Sequence, residues 1–136
     1  MSSSVRDDIE NTLNRWALGY DDNNWSLVAD CFAEDAVFSM RIAGGELIGP
    51  FEGREAILAM MREASHSQED QRRHVTSNLV IEQDGAQATS VAYLTLFSAQ
   101  DGTLSLLSTG KYQDELVRTD AGWKLAKRHI ALDLPY

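Results

Sequence analysis

The chain has 136 residues, enough for one domain around one hydrophobic core, and its 43% hydrophobic and 24% charged residues are typical of a folded globular protein. Its formal net charge is −9, from 12 basic and 21 acidic residues. Nucleic acid and membrane surfaces are therefore not expected as partners, because both are bound by basic surfaces. We expect a single domain over residues 1–136.

The sequence gives no reason to expect export. Its first residues lack the apolar segment of a signal peptide, and no apolar run approaches membrane-spanning length. The single cysteine, Cys31, cannot form an internal disulfide and is expected to be a small buried hydrophobic residue. The cytoplasm is therefore the expected compartment.

The first half of the chain has the apolar spacing of helices. Three helices are predicted, over residues 5–20, 25–32 and 54–63. Ser3 or Ser4 is expected to cap the first helix, and the polar run 21–24 to close it. Between the second and third helices, short strands are predicted at 36–40 and 46–48, followed by a loop at 49–53.

The second half of the chain has the pattern of long strands separated by hairpin turns. Four strands are predicted, over residues 73–83, 87–99, 103–119 and 122–132. Three helices followed by an antiparallel meander predict an α+β domain. A long twisted sheet curves, so we expect the helices on its concave face and a small apolar pocket between the two layers.

Asp21 and His74 are the candidate catalytic residues. Asp21 falls at the end of the first predicted helix, and His74 at the start of the first long strand. These two side chains meet if the helix crosses the sheet. A carboxylate that accepts a hydrogen bond from Nδ1–H of an imidazole leaves Nε2 free to take a proton, which makes a general base near neutral pH. Asp22 could replace Asp21 but projects further from the apolar face of the helix.

A structural explanation of the same two residues stays open. Asp21 could cap its own helix while His74 lies on the surface. Alternation along the strand favours that explanation, because Val75, Leu79 and Ile81 form one apolar face and His74 falls on the other. A β-bulge at the start of the strand could turn His74 back toward the pocket.

Large side chains near this pair are candidates for binding a substrate. Tyr20 could hydrogen-bond a substrate oxygen, and packing with a satisfied hydroxyl explains it equally well. The other candidates, for which core packing is the alternative, are Phe38, Met40, Tyr93, Phe97 and Tyr112. No group of His, Cys, Asp or Glu has metal-ligand spacing, and no glycine-rich loop follows a strand, so neither a metal nor another cofactor is expected.

The order of elements and several phrases of sequence carry a family resemblance. The phrases are Trp25 to Phe38, Phe51 to Ile57, and Gly122-Trp123-Lys124-Leu125. Over nearly the whole chain they resemble the SnoaL-like branch of the nuclear transport factor 2-like superfamily. The resemblance implies a cone-shaped α+β fold, with a curved antiparallel sheet and about three helices on its concave face. Because this superfamily contains enzymes of several kinds and non-catalytic subunits, the fold does not determine the function.

Two positions extend the resemblance to chemistry. Tyr20-Asp21 is similar to the Tyr-Asp pair of scytalone dehydratase, and Asp21 with His74 resembles the catalytic dyad of that enzyme and of hexachlorocyclohexane dehydrochlorinase. The second pocket histidine of the dehydratase has no counterpart in residues 93–99. The basic pocket residues of the dehydrochlorinase have no clear counterpart either. The resemblance therefore covers the dyad and not the substrate contacts.

These observations predict a cofactor-independent lyase, dehydratase-like, or an isomerase or cyclase, acting on a hydrophobic cyclic small molecule through His-Asp general base catalysis. The alternative is a non-catalytic ligand-binding or assembly subunit, like the small subunits of ring-hydroxylating dioxygenases. A homodimer is also expected, because the convex face of the sheet would otherwise expose apolar residues to water. The residues assigned to that face are Leu104, Leu106, Leu116 and Ile130.

Overall fold

The computed structural model describes residues 4–136, which form three helices and six strands. The helices are α1 (Val5–Asp21), α2 (Trp25–Asp30) and α3 (Arg54–His66). The strands are β1 (Phe32–Ile42), β2 (Ile48–Glu52), β3 (Gln71–Asp84), β4 (Gln87–Gln100), β5 (Thr103–Thr119) and β6 (Gly122–Leu132). The predicted three helices and four long strands are confirmed. No helix within residues 4–136 is long and apolar enough to cross a membrane.

All six strands form one curved, unclosed sheet in the order β2-β1-β6-β5-β4-β3. Neighbouring strands are antiparallel except β1 and β6, which run parallel. The expected α+β fold is therefore confirmed. The structure differs from the prediction in the first strand, which begins at Phe32 rather than at residue 36 because Phe32 pairs with Leu125 of β6. It also differs at β2, where residues predicted as a loop pair with β1.

Helix α1 is the element that carries one half of the candidate site. Ser4 caps it, accepting a hydrogen bond from the backbone N–H of Asp7 at 3.0 Å, and the acidic first turn suits the positive end of the helix dipole. Its buried face is formed by Ile9, Leu13, Trp16, Ala17 and Tyr20. Gly19 allows α2 to pack closely, because a Cβ there would lie 2.9 Å from Cγ2 of Val28.

Strand β3 contains a bulge that changes which residues face the helices. Ser77 pairs with Tyr93 and Val80 with Val91, so three steps along β3 match two along β4. Asn78 takes up the extra residue in the left-handed conformation, with φ of 56°, which asparagine tolerates better than most residues. His74 therefore lies on the same inner face as Leu79, although regular alternation along the strand would place them on opposite faces. The bulge lies in the middle of the strand, not at its start.

Two further bulges have the same effect on β5 and β6. Leu107 is the extra residue between the pairs Leu96–Ser108 and Phe97–Leu106. On β6 the extra residue lies between the pairs Glu115–Lys127 and Leu116–Leu125. Each bulge exchanges inner and outer positions along its strand.

Because of the bulges, only two of the four residues that were assigned to the convex face lie on it. Leu104 and Leu106 lie there, 73% and 60% exposed. Leu116 and Ile130 are buried in the core, so their assignment to the convex face was wrong. The alternation on which that assignment rested is broken by the extra residues in β5 and β6.

Candidate active site

A cavity of about 60 Å³ lies between the helices and the inner face of the sheet. Most of its walls are apolar, formed by residues that include Phe38, Met40, Met60, Leu94, Leu96 and Ile130. Phe38 and Met40 therefore lie where the sequence suggested. Side chains with polar groups also line the cavity: Trp16, Tyr20, Gln68, Arg72, His74 and Tyr136. The site combines an apolar enclosure with a few hydrogen-bonding groups, the usual make-up of a small-molecule pocket.

Asp21 and His74 form a close pair at this cavity. Oδ1 of Asp21 lies 2.6 Å from Nδ1 of His74, and Oδ2 accepts the backbone N–H of His74 at 2.9 Å. Their side chains are only 5% and 10% exposed, respectively. Both carboxylate oxygens thus accept from the same residue, so Nδ1 carries the proton toward Asp21. Within residues 4–136, Nε2 of His74 has no hydrogen-bond partner and remains available at the cavity.

Aromatic rings fix the orientation of the imidazole. Trp16 and Tyr20 contact the His74 ring edge-to-face, with centroids 5.5 and 5.1 Å away. Trp16 and Tyr20 in turn stack on each other at 5.6 Å. Asp22, the other candidate carboxylate, lies outside this arrangement in an exposed ion pair with Arg73. The geometry therefore selects Asp21 over Asp22 as the partner of His74.

The hydroxyl group of Tyr20 remains a hydrogen-bond donor at every physiological pH. Burial raises the pKa of Tyr20 to about 12, although its hydrogen bond to Gln68 and the nearby Arg72 oppose the rise. The hydroxyl donates to Oε1 of Gln68 at 3.3 Å. Both side chains line the cavity, so this bond can be exchanged for one to a ligand oxygen.

Arg72 is a cavity residue that the sequence analysis did not single out. Its Nε donates to Oδ2 of Asp70 at 2.9 Å, and Ser98 donates to the same oxygen. Burial opposes ionisation of Asp70, but the hydrogen bonds from Ser98 and Arg72 outweigh it and lower the pKa of Asp70 below its ordinary value. The available signal was position: Arg72 precedes His74 by two residues and therefore shares its face of the strand.

Three predicted pocket residues lie elsewhere. Tyr93 is 50% exposed and Phe97 points away from the cavity with it, because the residues of β4 that face inward are the even-numbered ones, such as Leu94 and Leu96. The prediction that Tyr93 and Phe97 line the cavity was therefore wrong. Tyr112 faces inward but is fully buried in the core and is not part of the cavity wall.

A buried ion pair lies beneath the site and was not predicted either. Arg128 donates from Nε and Nη2 to the two carboxylate oxygens of Asp114, at 2.9 and 3.0 Å, and both side chains are fully enclosed. The guanidinium also lies 4.0 Å from the ring centre of Tyr112 and 4.6 Å from that of Trp16. Because Trp16 also contacts His74, the Arg128–Asp114 pair supports a side chain on which the imidazole packs.

The remaining candidate nucleophiles and ligands lie away from the cavity. Cys31 is buried, as expected, and burial raises its thiol pKa to about 11, which keeps the sulfur protonated and unreactive. His129 is partly buried and its Nδ1 lies 2.8 Å from the hydroxyl of Ser39, outside the cavity. In the part of the chain that the structure describes, no three His, Cys, Asp or Glu residues are grouped so that they could hold a metal ion.

Comparisons with known proteins agree with this fold. The family model of a SnoaL-like domain matches residues 1–129. No curated protein matches the chain. The solved structure of Aln2 from a Streptomyces species is 25% identical, covering 98% of this chain and 94% of that one, with a TM-score of 0.82. Rv3472, of unknown function, from Mycobacterium tuberculosis is 29% identical, covering 93% and 70%, with a TM-score of 0.75.

A third solved structure agrees in fold alone. It is an NTF2-like protein with a cystatin-like fold from Novosphingobium aromaticivorans, and it is 22% identical to this chain. The match covers 93% of this chain and 80% of that one, with a TM-score of 0.80. The resemblance drawn from the sequence phrases is therefore confirmed.

Proposed function

This chain belongs to the SnoaL-like domain family, and we propose that it is a cofactor-independent lyase or isomerase acting on an apolar cyclic small molecule. The observation that carries the proposal is the Asp21–His74 pair at an apolar cavity. A non-catalytic assembly subunit, the alternative function, does not need a carboxylate and an imidazole aligned on a cavity. The apolar walls favour the hydrocarbon part of a ligand, and the methionines Met40 and Met60 can adapt to its shape.

The proposed reaction begins with proton abstraction by Nε2 of His74. The C–H bond of the substrate breaks, the proton binds Nε2, and the electron pair enters the carbon framework of the substrate. The carboxylate of Asp21 stabilises the imidazolium that forms. In a dehydratase reaction the imidazolium then gives its proton to a departing hydroxyl group, which leaves as water. In an isomerase reaction it returns the proton to a different carbon.

The test begins with a screen of hydroxylated and halogenated cyclic compounds, followed by mass spectrometry of the products. For any compound that is turned over, His74→Ala is expected to abolish activity and retain the fold. His66→Ala is the matched control, because His66 ends α3 and does not line the cavity. Activity of the unmodified protein is expected to fall on acidification, since an imidazolium cannot accept a proton. A His74→Ala variant with near-normal turnover would refute the proposed base.

We also propose that the protein is a homodimer that pairs through the convex face of its sheet. Large apolar side chains are exposed on that face, two on β4 and two on β5: Val91, Tyr93, Leu104 and Leu106. Water rarely covers such a patch in a stable monomer. Light scattering at micromolar concentration is expected to give the mass of two chains, and Leu106→Glu to reduce it to one. A monomeric mass for the unmodified protein would contradict this proposal.

A further inference from the structure

The Arg72 side chain is fixed in place before any ligand binds. Asp70 accepts a hydrogen bond from its Nε at 2.9 Å, and Ser98 holds that carboxylate through a hydrogen bond of its own. The ring of Tyr136 covers the guanidinium at 5.0 Å. The side chains of Arg72 and Asp70 are only 13% and 10% exposed. One edge and one face of the guanidinium are thus already in contact with protein.

The other edge of the guanidinium is unused. Among residues 4–136, neither Nη1 nor Nη2 of Arg72 has a hydrogen-bond acceptor, although the side chain lines the cavity. A guanidinium carries five N–H donors, and Asp70 receives only the one from Nε. A largely enclosed arginine with free donors at a cavity is suited to bind an oxygen atom of a ligand.

We propose that Arg72 binds the carbonyl oxygen of the substrate, next to the carbon from which His74 removes a proton. This inference deepens the proposed function and depends on it for the identity of the base. The substrate class becomes an apolar cyclic compound with a carbonyl group. When the α C–H bond breaks and the proton moves to Nε2 of His74, the electron pair forms a C=C bond and the carbonyl π electrons move to oxygen. Arg72 stabilises the resulting enolate oxygen.

The spacing of the two residues fits this role. Arg72 and His74 are two residues apart on one face of β3, which separates their Cα atoms by about 7 Å. A base lies about 3 Å from the carbon it deprotonates, that carbon lies about 2.4 Å from its carbonyl oxygen, and the oxygen accepts N–H at about 2.9 Å. A bent path with these three segments is comparable in length with the spacing of the two residues along the strand.

Binding of two matched probes tests this inference without the true substrate. 4-Nitrophenolate resembles an enolate because it has a negative oxygen on a flat ring, and nitrobenzene is nearly the same shape without that oxygen. The unmodified protein is expected to bind 4-nitrophenolate at least tenfold more tightly, measured by titration calorimetry. Arg72→Met should reduce that preference by about 10- to 100-fold, because hydrogen bonds to charged groups are among the strong ones, and leave nitrobenzene binding unchanged.

The control is Arg73→Met, which removes the same charge from the adjacent position. Arg73 is exposed and paired with Asp22, so the variant should keep the preference for 4-nitrophenolate. Arg72→Lys retains the positive charge with a different donor geometry, so it should keep part of the preference for 4-nitrophenolate. This second variant guards against a folding defect in Arg72→Met. Equal binding of both probes by the unmodified protein, binding of neither, or a full preference in Arg72→Met would overturn the inference.

The experiment separates this inference from the proposed function. Loss of the oxygen preference in Arg72→Met, combined with normal turnover in His74→Ala, would support the oxygen site and refute the base. An unchanged preference in Arg72→Met, combined with loss of turnover in His74→Ala, would refute the oxygen site alone.

Discussion

The double hydrogen bond between Asp21 and His74 makes Asp21→Asn the most informative single substitution. In the unmodified protein, Oδ2 accepts the backbone N–H of His74 and Oδ1 accepts Nδ1–H. An asparagine offers one oxygen and one NH2 group to the same two donors. If its oxygen accepts the backbone N–H, the NH2 group faces Nδ1, which must lose its proton. The ring proton then moves to Nε2, and the base is lost.

The opposite orientation of the amide is also unfavourable. It keeps Nδ1–H bonded but places the NH2 group against the backbone N–H, and an unsatisfied buried donor costs about 1–3 kcal/mol, or about 5- to 160-fold in the population of the active tautomer. Loss of the carboxylate charge removes a further ~4 kcal/mol of attraction to the imidazolium at an effective dielectric constant of about 20. Together these effects, about 5–7 kcal/mol, predict a loss in kcat of about five thousand- to a hundred-thousandfold.

The tautomer itself can be measured before any substrate is known. Two-bond proton–nitrogen NMR correlations of the ring are expected to show the Nδ1–H form of His74 in the unmodified protein. We expect a shift toward the Nε2–H form in Asp21→Asn, and no change in the control Asp22→Asn, whose carboxylate pairs with Arg73. His74→Ala identifies the signal among the three histidines. An Nε2–H tautomer in the unmodified protein would refute the reasoning.

Three further predictions concern the frame around the site. Arg128→Met should lower the free energy of unfolding, measured in urea, by about 3–5 kcal/mol, because it leaves Asp114 buried and unpaired. Adding Asp114→Leu to this variant should restore most of the lost stability, and additive losses in the double variant would contradict the prediction. Asn78→Val should destabilise the fold by about 1–2 kcal/mol, because valine is strained at the positive φ of this position, whereas Asn78→Gly should not. Equal urea unfolding midpoints for the two variants would contradict this prediction. Cys31 should resist a thiol reagent at pH 8 until the protein unfolds, and rapid labelling of the native state would contradict its burial.

Local signals in the sequence were sufficient to predict most of the fold. Apolar spacing located three helices, and Asp-Gly and similar turns separated four long strands. The elements that were misplaced depend on strand pairing more than on local composition. β1 begins early because of its parallel pairing with β6, and β2 forms on the edge of β1 in a segment with loop-like composition. The β1–β6 pairing cannot be inferred from neighbouring residues, because the partner is far away in the chain. The β1–β2 pairing joins consecutive strands and was missed because of the loop-like composition of β2.

Side-chain direction was predicted less well than the elements themselves. Alternation assigns a face to each strand residue only while the pairing stays regular, and β3, β5 and β6 each contain one extra residue. These residues explain why His74 faces inward beside Leu79 and why Ile130 lines the cavity. Asn78 at positive φ is compatible with a bulge, but an asparagine in the middle of a strand is too common to identify one from sequence.

The bulges also explain why the sequence analysis identified only some of the polar residues in and around the site. Without the one in β6, Arg128 would alternate with Leu125 onto the outer face, where an arginine next to Lys127 and His129 is unremarkable. The direction of Arg72 depends on that of His74. Because the two residues are two positions apart on a strand, Arg72 faces inward if His74 does. A correct assignment of His74 to the inner face therefore also places Arg72 at the cavity, so the proposed base and the proposed oxygen-binding group lie on one strand face.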